Sequence, residues 1–130
     1  MKVTDTVDRN PLCDMIQPVA DALYALNGKW KLPILMSLTY GNRRFKDIAR
    51  SIPKITDRML SKELRELEIN LLINRTVIDA VPVKIEYTIT EHGKSLHTVI
   101  TELSKWGIYH REIITKTSRS GKFPGEQLSS

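Results

Sequence analysis

One stretch of the chain, residues 55–89, constrains the fold more than any other part of the sequence. Its first half carries apolar residues at i, i+4, i+7 and i+11, the spacing that places side chains on one face of a helix. These residues are Leu60, Leu64, Leu67 and Leu71. Two segments with the character of β-strands follow, separated by a short turn that contains Pro82. The stretch therefore predicts a helix that leads directly into a β-hairpin.

The face of this helix opposite the leucines is basic. At about 100° per residue, Arg58, Lys62 and Arg65 fall on that face. Ser61 lies at its edge, and Thr56 is placed to cap the helix N-terminus. Short polar residues and an arginine at a helix start suit contacts with DNA bases, and the later basic residues suit contacts with phosphate. The alternative is an ordinary amphipathic helix whose charges are only solvated.

The hairpin can be located from its residue types. Residues 73–80 are rich in β-branched side chains, and residues 84–90 alternate apolar and polar side chains. Pro82 lacks an N–H group, so it suits a hairpin tip rather than a central strand. We expect Arg75 and Lys84 to project from the hairpin, where they could reach a phosphate or the minor groove. The alternative is a hairpin that only covers the core.

Three helices are predicted before the basic helix. They span residues 14–26, with Pro18 in the first turn, residues 30–38 and residues 45–52. A short helix joined by a tight connection to a second helix with a basic face is a helix-turn-helix pattern. Glu63 and Glu66 lie on the flanks of the basic helix, where they can pair with Lys62 and Arg65 or with neighbouring helices.

A long final helix is predicted to begin at Thr90, which can cap it. Its apolar stripe is too long for a small domain to bury alone, so it predicts a dimer interface shared with the first helix. The predicted interface residues are Ile16, Val19, Leu23, Leu96, Val99, Ile100, Leu103 and Trp106. The alternative is burial of the stripe against its own domain.

These elements predict an α+β fold, a winged helix-turn-helix with N- and C-terminal dimerisation helices. We expect an irregular N-terminal arm in residues 1–12 and the folded domain with its dimerisation helices in residues 13–115. Residues 116–130 are polar, with Ser, Gly and Pro, and are expected to be a disordered tail.

Composition favours an anionic partner. The chain has 20 Lys and Arg against 15 Asp and Glu, a formal net charge of +5, and an isoelectric point of about 9.4. Nucleic acid is the commonest partner of such a chain, and a membrane surface is the weaker alternative. No apolar run approaches the length of a membrane span, and the N-terminus lacks the apolar core of a signal peptide. We therefore expect a cytoplasmic protein that does not enter a membrane.

The sequence offers no catalytic site. The three histidines are His92, His97 and His110, and the first two are five residues apart, which does not align them for a zinc pair. The single cysteine excludes an internal disulfide and any cluster of cysteines around a metal. We expect no enzyme activity and no cofactor. The two functions left open are a DNA-binding regulator and a protein-interaction module that uses the same winged fold without DNA.

Several motifs together resemble the HxlR family of bacterial winged-helix transcriptional regulators, relatives of the MarR group. The resemblance covers the chain from about Cys13 to Trp106-Gly107. It is carried by Cys13, Asn27-Gly28-Lys29-Trp30, Arg44-Phe45-Lys46-Asp47-Ile48, the segment ITDRMLSKELRELE at residues 55–68, and YTITEHG at residues 87–93. It implies a homodimer that binds a pseudo-palindromic operator on double-stranded DNA, with repression as the default outcome.

The resemblance also implies which residues contact DNA. The helix matching residues 56–70 would enter the major groove, and the wing matching residues 77–89 would lie on the flanking minor groove. The implied reading face consists of Thr56, Asp57, Arg58, Ser61, Lys62 and Arg65, and the implied phosphate contacts are Arg43, Arg44 and Lys46. The wing departs from the arginine-rich wings of the family, since it carries Asp79 and few basic residues. Its contacts should therefore be few, with Arg75 and Lys84 the principal ones.

The resemblance implies a sensor at Cys13, because several members of the family detect quinones, aldehydes or oxidants through a cysteine at the matching position. Its place at the start of the first helix, near Arg9, would activate a thiol, although Asp14 works against this. A small electrophile or oxidant is therefore a candidate effector. The alternative is a small residue that only packs at the dimer interface.

Overall fold

The computed structural model describes residues 11–119, which form helices and one two-stranded antiparallel sheet. The elements are α1 (Pro11–Ala25), α2 (Lys31–Thr39), α3 (Phe45–Ser51), α4 (Asp57–Ile69), β1 (Ile73–Ile78), β2 (Lys84–Ile89), α5 (Glu91–Lys94) and α6 (His97–Arg119). This order confirms the α+β class and the predicted winged helix-turn-helix. The chain divides into two compact units between Gly93 and Lys94, so that α1 to α4 and the sheet belong to the first and α6 to the second.

The core of the first unit lies between α2, α3, α4 and the start of β1. Its buried apolar residues are Ile34, Leu35, Leu38, Ile48, Ile52, Leu60, Leu64, Leu67, Leu72 and Ile73. The three leucines at the front of the predicted stripe are all among them, which confirms the orientation of α4. Burial of a side chain of this size contributes about 1.5–3 kcal/mol to the free energy of unfolding. The basic face of α4 is thereby fixed toward solvent.

The prediction is wrong for the fourth leucine of the stripe. Leu71 lies beyond the end of α4, is 70% exposed and has a φ of 63°. Its amide donates to the carbonyl of Glu68 at 3.0 Å, and the amide of Leu72 donates to the carbonyl of Leu67 at 3.0 Å. These two bonds make the Schellman ending of a helix, in which the left-handed residue turns the chain away from the axis. The core position after the turn is consequently filled by Leu72.

A tight turn connects α3 to α4. Residues 52–55 close it with a backbone hydrogen bond of 3.5 Å. Pro53 supplies the fixed φ of its first central position, and Lys54, with a φ of 70°, occupies the second. Thr56 then caps α4, because its Oγ1 accepts a hydrogen bond from the amide of Met59 at 3.1 Å. The predicted cap is confirmed, and α3 and α4 form the expected helix-turn-helix.

The hairpin is confirmed, with residues 73–78 of β1 paired in reverse order with residues 84–89 of β2. Pro82 lies in the exposed connection between the strands, as its missing N–H group requires. The base of the hairpin is joined to the end of α4 by Thr90. Its amide donates to the carbonyl of Leu72 at 3.0 Å, and its hydroxyl donates to the carbonyl of Leu71 at 2.7 Å.

The predicted single helix after the hairpin is two helices. Thr90 caps the short α5, where its Oγ1 accepts from the amide of Gly93 at 2.9 Å, and residues 95–96 separate α5 from α6. Gly93 is buried, and a Cβ atom at that position would collide with the carbonyl oxygen of Leu72. The close approach of α5 to the end of α4 therefore requires glycine.

Both terminal boundaries differ from the predicted ones. α1 begins at Pro11, so Pro18 lies inside the helix and not in its first turn. α6 continues to Arg119, so the first four residues of the predicted tail are helical. Residues 1–10 and 120–130, which hold the rest of the predicted arm and tail, lie outside the described residues.

Residues 11–119 were searched for membrane-spanning helices and for groups of metal-binding side chains. None of the helices there combines the length and the apolar character needed to cross a bilayer. In the same range, no three His, Cys, Asp or Glu side chains come together as a metal site would require.

Candidate nucleic-acid interface

The solvent face of α4 presents all six residues of the predicted reading face. Thr56, Asp57, Arg58, Ser61, Lys62 and Arg65 are all exposed. They occupy this face because the leucines of the opposite face are held in the core. Asp57 and Arg58 stand in the first turn, so an acceptor and a guanidinium are available at the N-terminal end of the helix. These are the groups that recognise cytosine and guanine edges in the major groove.

A second group of basic residues lies at the entry to α3. Arg43 and Arg44 precede the helix and Lys46 is in its first turn, and all three are exposed. The carbonyl of Arg43 accepts a hydrogen bond from the amide of Tyr87 at 2.8 Å. Its guanidinium lies 4.0 Å from the carboxylate of Glu86. The segment that carries these cations is thus fixed against the second strand of the wing.

The wing carries two exposed basic residues, Arg75 and Lys84, and the register does not bring them together. Arg75 pairs with Tyr87, and Lys84 pairs with Ile78. Since side chains alternate between the faces of a strand, these two cations lie on opposite faces of the hairpin. Lys84 shares its face with Glu86, whose carboxylate is the partner of Arg43. The two wing residues therefore cannot act as one basic patch.

Within residues 11–119, the basic residues of α4 differ in how freely they can reach a ligand. Lys62 is already engaged, because its Nζ lies 3.2 Å from the carboxylate of Glu66 and 3.9 Å from that of Glu63. Arg58 and Arg65 are exposed and form no ion pair in the described part of the chain. Arg58 and Arg65 are thus directly available to an anionic ligand. Lys62 would first have to leave the two carboxylates.

Sequence reasoning missed Lys31, which lies behind the reading face. Lys31 is a charged residue in the core, with 2% of its surface exposed. Its ammonium group lies 2.5 Å from Oε1 of Glu63 and 2.6 Å from Oε1 of Glu66, and it donates to the amide oxygen of Asn27 at 3.1 Å. All three N–H donors of the ammonium group therefore have an acceptor. We call Lys31, Glu63 and Glu66 the buried charge cluster.

The buried charge cluster shifts the titration of two of its members. Burial by itself would lower the pKa of Lys31, but the hydrogen bonds and charges of Glu63 and Glu66 outweigh it, so the pKa is raised above its ordinary value. The pKa of Glu66 is lowered, first by the hydrogen bond from Lys31 and then by that from Lys62. Both groups are consequently held in their charged forms at neutral pH.

A signal for this cluster is present in the sequence. Lys31 stands at the head of the apolar run LPIL, where a lysine needs either solvent or an acidic partner. The acids were expected to pair with Lys62 and Arg65 or with neighbouring helices. They do pair with Lys62 and with a neighbouring helix through Lys31, and no pair with Arg65 occurs among the described residues. The spacing along α4 alone could not reveal which helix would supply the cation.

The predicted dimer residues are largely exposed on their own helices. Ile16, Val19 and Leu23 of α1 are 53–65% exposed, and no residue of that helix is buried. On α6, Val99, Leu103 and Trp106 are 45–59% exposed, whereas Ile100 and the preceding Leu96 are partly covered. The ring of Trp106 stacks on that of His110, with centroids 4.7 Å apart. Apolar stripes of this length left in solvent are typical of surfaces that meet another protein chain.

Cys13 is exposed at the third position of α1. The predicted neighbour Arg9 lies outside the described residues. Asp14 is adjacent in the first turn. The thiol is thus reachable from solvent and lies beside the apolar stripe of α1.

Comparison with known proteins identifies one family. Residues 25–115 match the model of the HxlR-like helix-turn-helix family. The HTH-type transcriptional regulator YtcD of Bacillus subtilis (strain 168) is 44% identical over 92 residues, which are 71% of this chain and 73% of that protein. The HTH-type transcriptional regulator YodB of the same organism is 39% identical over 98 residues, 75% of this chain and 84% of that protein.

Two solved structures illustrate the shared fold. The redox regulator HypR in its reduced form superimposes with a TM-score of 0.71 and 36% identity, covering 76% of this chain and 98% of that one. Diamide-treated YodB from B. subtilis superimposes with a TM-score of 0.61 and 38% identity, covering 69% of this chain and 89% of that one.

Proposed function

The chain belongs to the HxlR-like helix-turn-helix family of DNA-binding transcriptional regulators, and we propose that it acts as a homodimeric repressor of a pseudo-palindromic operator. In this proposal α4 enters the major groove, and the wing lies along the flanking minor groove. Two copies related by a two-fold axis would place two α4 helices on two half-sites, one helical turn of DNA apart or a multiple of it. Repression would follow from occupation of the promoter.

The observation that carries the proposal is the division of α4 into two faces. Three leucines on one face have at most 2% of their surface exposed. The opposite face exposes Asp57, Arg58, Ser61 and Arg65. A helix that only covered the core would not need this set of base-recognising groups in its first two turns. Arg43, Arg44 and Lys46, held beside the wing, would fix the register of the protein on the phosphate backbone.

The wing makes a smaller contribution in this proposal. Between residues 73 and 89 its basic residues, Arg75 and Lys84, are matched in number by Asp79 and Glu86. The carboxylate of Glu86 is also placed near Arg43. A wing with no net charge attracts phosphate weakly, so sequence discrimination should depend mainly on α4.

Homodimer formation is supported by the exposed stripes of α1 and α6. A monomeric soluble protein rarely leaves large contiguous apolar patches in water. An interface between two copies would cover Ile16, Val19 and Leu23 together with Leu96, Val99, Ile100, Leu103 and Trp106.

A direct test is an electrophoretic mobility shift with the DNA upstream of the protein's own gene, against a shuffled duplex of equal length and composition. We expect specific binding whose affinity falls steeply as salt is raised, because phosphate contacts release counterions. Arg58→Ala should lose the preference for the upstream DNA. Absence of binding to every duplex would instead favour a protein-interaction module built on the winged fold.

We also propose that Cys13 makes the regulator responsive to an oxidant or electrophile. Support comes from its exposure and from the similarity to HypR and YodB, one named as a redox regulator and the other solved after diamide treatment. With one cysteine per chain, the thiols of two subunits can form one disulfide by giving two electrons and two protons to diamide. A quinone could instead add to the thiol without any change of oxidation state.

The sensor proposal is tested with Cys13→Ser. The variant should bind the operator as the wild-type protein does and should no longer respond to diamide or a quinone. Non-reducing electrophoresis of the wild-type protein reports whether a linked dimer appears. A serine variant that still releases DNA after diamide would leave Cys13 only a packing role.

A further inference from the structure

We propose that the buried charge cluster sets the orientation of α4 against α2 and thereby the discrimination between operator and other DNA, without touching DNA itself. The inference rests on the proposed function, since it requires that α4 reads DNA. Lys31 and Glu66 are positioning residues in this account. Lys31 is 2% exposed, so it cannot reach a nucleotide while α4 keeps its place.

Apolar and ionic contacts constrain the packing of α2 and α4 differently. Apolar side chains between α2 and α4 are attracted in any arrangement that removes surface from water, because burial is not directional. The ammonium group of Lys31 has three donors, and their acceptors lie at 2.5, 2.6 and 3.1 Å. A rotation or slide of α4 would leave a buried charge unpaired, which is strongly unfavourable. The cluster therefore permits one register of the two helices where packing alone would permit several.

The cluster also contacts Lys62 of the predicted reading face. Glu66 uses one carboxylate oxygen for Lys31 at 2.6 Å and the other for Lys62 at 3.2 Å. Glu63 is arranged in the same way, with its second oxygen 3.9 Å from Lys62. Each glutamate thus bridges a buried cation and a DNA-facing cation. The two lysines and two glutamates together carry no net charge.

The binding of DNA would change the ion pairs of Lys62. A phosphate would draw Lys62 away from the two carboxylates. Lys31 would remain paired with both carboxylates, so the two acids need not move, and the net charge they leave near the DNA backbone is one negative unit and not two. The cluster therefore keeps α4 in the same position in the free and the bound protein.

The decisive experiment compares Glu66→Gln with Glu68→Gln. Both variants remove one negative charge from α4. Glu68 is exposed and makes no ion pair within the described residues, so it is a matched control. Removal of a negative charge should strengthen binding to any DNA, and if charge alone mattered both variants would behave alike. We expect Glu66→Gln to lower the affinity ratio between operator and shuffled DNA by about tenfold, which corresponds to about 1.4 kcal/mol. Glu68→Gln should keep the ratio within about twofold.

A second pair of variants tests Lys31 directly. Lys31→Met keeps the length of the side chain and removes its charge, and Lys29→Met makes the same change at an exposed position. We expect Lys31→Met to lower the operator preference and Lys29→Met to keep it. Thermal unfolding identifies a temperature at which each variant is folded, and binding is measured there. If Lys31→Met does not fold, the comparison of Glu66→Gln with Glu68→Gln decides the question. Both of those variants keep the buried ion pair of Lys31 and Glu63.

Equal ratios for Glu66→Gln and Glu68→Gln, whether both are retained or both are lost, would overturn the inference and leave the cluster a role in stability alone. A wild-type protein that does not distinguish operator from shuffled DNA would instead overturn the proposed function. The two failures are therefore distinguishable in the same set of measurements.

Discussion

Between residues 11 and 119, two non-glycine residues adopt the left-handed backbone conformation that glycine usually provides. Lys54, with a φ of 70°, closes the turn into α4, and Leu71, with a φ of 63°, ends that helix. An L-residue in this conformation brings its Cβ atom close to the following carbonyl oxygen, at a cost of roughly 1–2 kcal/mol. Both boundaries of the reading helix are thus maintained against a local preference.

Leu71→Gly should therefore stabilise the protein. Glycine adopts the required φ without strain, although its freer unfolded chain offsets part of the gain, so we expect an increase in the free energy of unfolding of about 0.5–1 kcal/mol. Little packing is lost, because the leucine side chain is 70% exposed. Urea unfolding measures the change. Leu71→Ala is the control, since it removes the side chain but keeps Cβ, and an equal gain from alanine would contradict the explanation.

The titration of the buried charge cluster predicts the pH range of stability. Because the folded pKa of Glu66 is below its ordinary value of 4.5, its contribution is present above that pH and is lost as pH falls through the folded pKa. Because the folded pKa of Lys31 is above its ordinary value of 10.5, its contribution is present below that pH and is lost as pH rises through the folded pKa. Stability from the cluster is thus complete near neutral pH.

This is checked by measuring the urea concentration at the midpoint of unfolding from about pH 3 to about pH 7, the range in which carboxylates titrate. We expect the midpoint to fall on acidification and Glu66→Gln to reduce the slope, because the variant has no carboxylate to protonate. Glu68→Gln should keep the slope of the wild-type protein. A Glu66→Gln curve parallel to the wild-type curve would show that this carboxylate does not contribute to acid sensitivity.

At the scale of elements, the proposed DNA complex gives α4 and the wing different tasks. α4 exposes an acceptor and a guanidinium in its first turn, whereas the wing distributes Arg75 and Lys84 over opposite faces. Contacts from α4 can therefore distinguish bases, and contacts from the wing are limited to single phosphates or the groove edge. Loss of a base contact should lower the preference for the operator, whereas loss of a phosphate contact should weaken binding to every DNA alike.

Arg58→Ala should cost more discrimination than Lys84→Ala. A guanidinium on a base edge contributes about 1–3 kcal/mol to the preference for the correct base, so we expect that loss in the operator-to-shuffled ratio for Arg58→Ala. Lys84→Ala should weaken binding to both duplexes alike and reduce the salt slope by about 1. Fluorescence anisotropy titrations at several salt concentrations measure both. Equal losses of preference from the two substitutions would argue against this division of labour.

The elements differ in how well the sequence predicts them. Residues 60, 64 and 67 repeat with the helical period and face the core as expected, because that pattern depends only on local geometry and burial. Leu71 continues the same period but lies outside the helix, since the turn after α4 is closed by backbone bonds that the spacing does not encode. Lys31 was missed for a related reason, because its partners are 32 and 35 residues away along the chain.

At the scale of the whole molecule, the exposed apolar stripes of α1 and α6 are the surfaces through which we propose that the dimer forms. Leu103 is 49% exposed on α6, and in the proposed homodimer it is covered by the partner chain. Leu103→Glu should convert the dimer to a monomer, because a carboxylate would have to leave water to enter an apolar interface. Sedimentation velocity at micromolar concentration measures the change, and operator affinity should fall with it.

Ser104→Glu is the matched control for this prediction. It introduces the same charge one residue further along α6, at an exposed polar position, so the dimer should persist. Dimers of equal stability in both variants, or a monomeric wild-type protein, would count against an interface along the α6 stripe.

The hydrogen bond from the amide of Tyr87 to the carbonyl of Arg43 has a thermodynamic consequence. It joins the wing to the segment that carries Arg43 and Arg44, for which we propose phosphate contacts, so the two parts do not move independently before DNA binds. Less conformational entropy then remains to be lost on association, and a larger share of the contact energy becomes affinity. The amide proton of Tyr87 should accordingly exchange with solvent as slowly as those inside the hairpin ladder, with or without DNA.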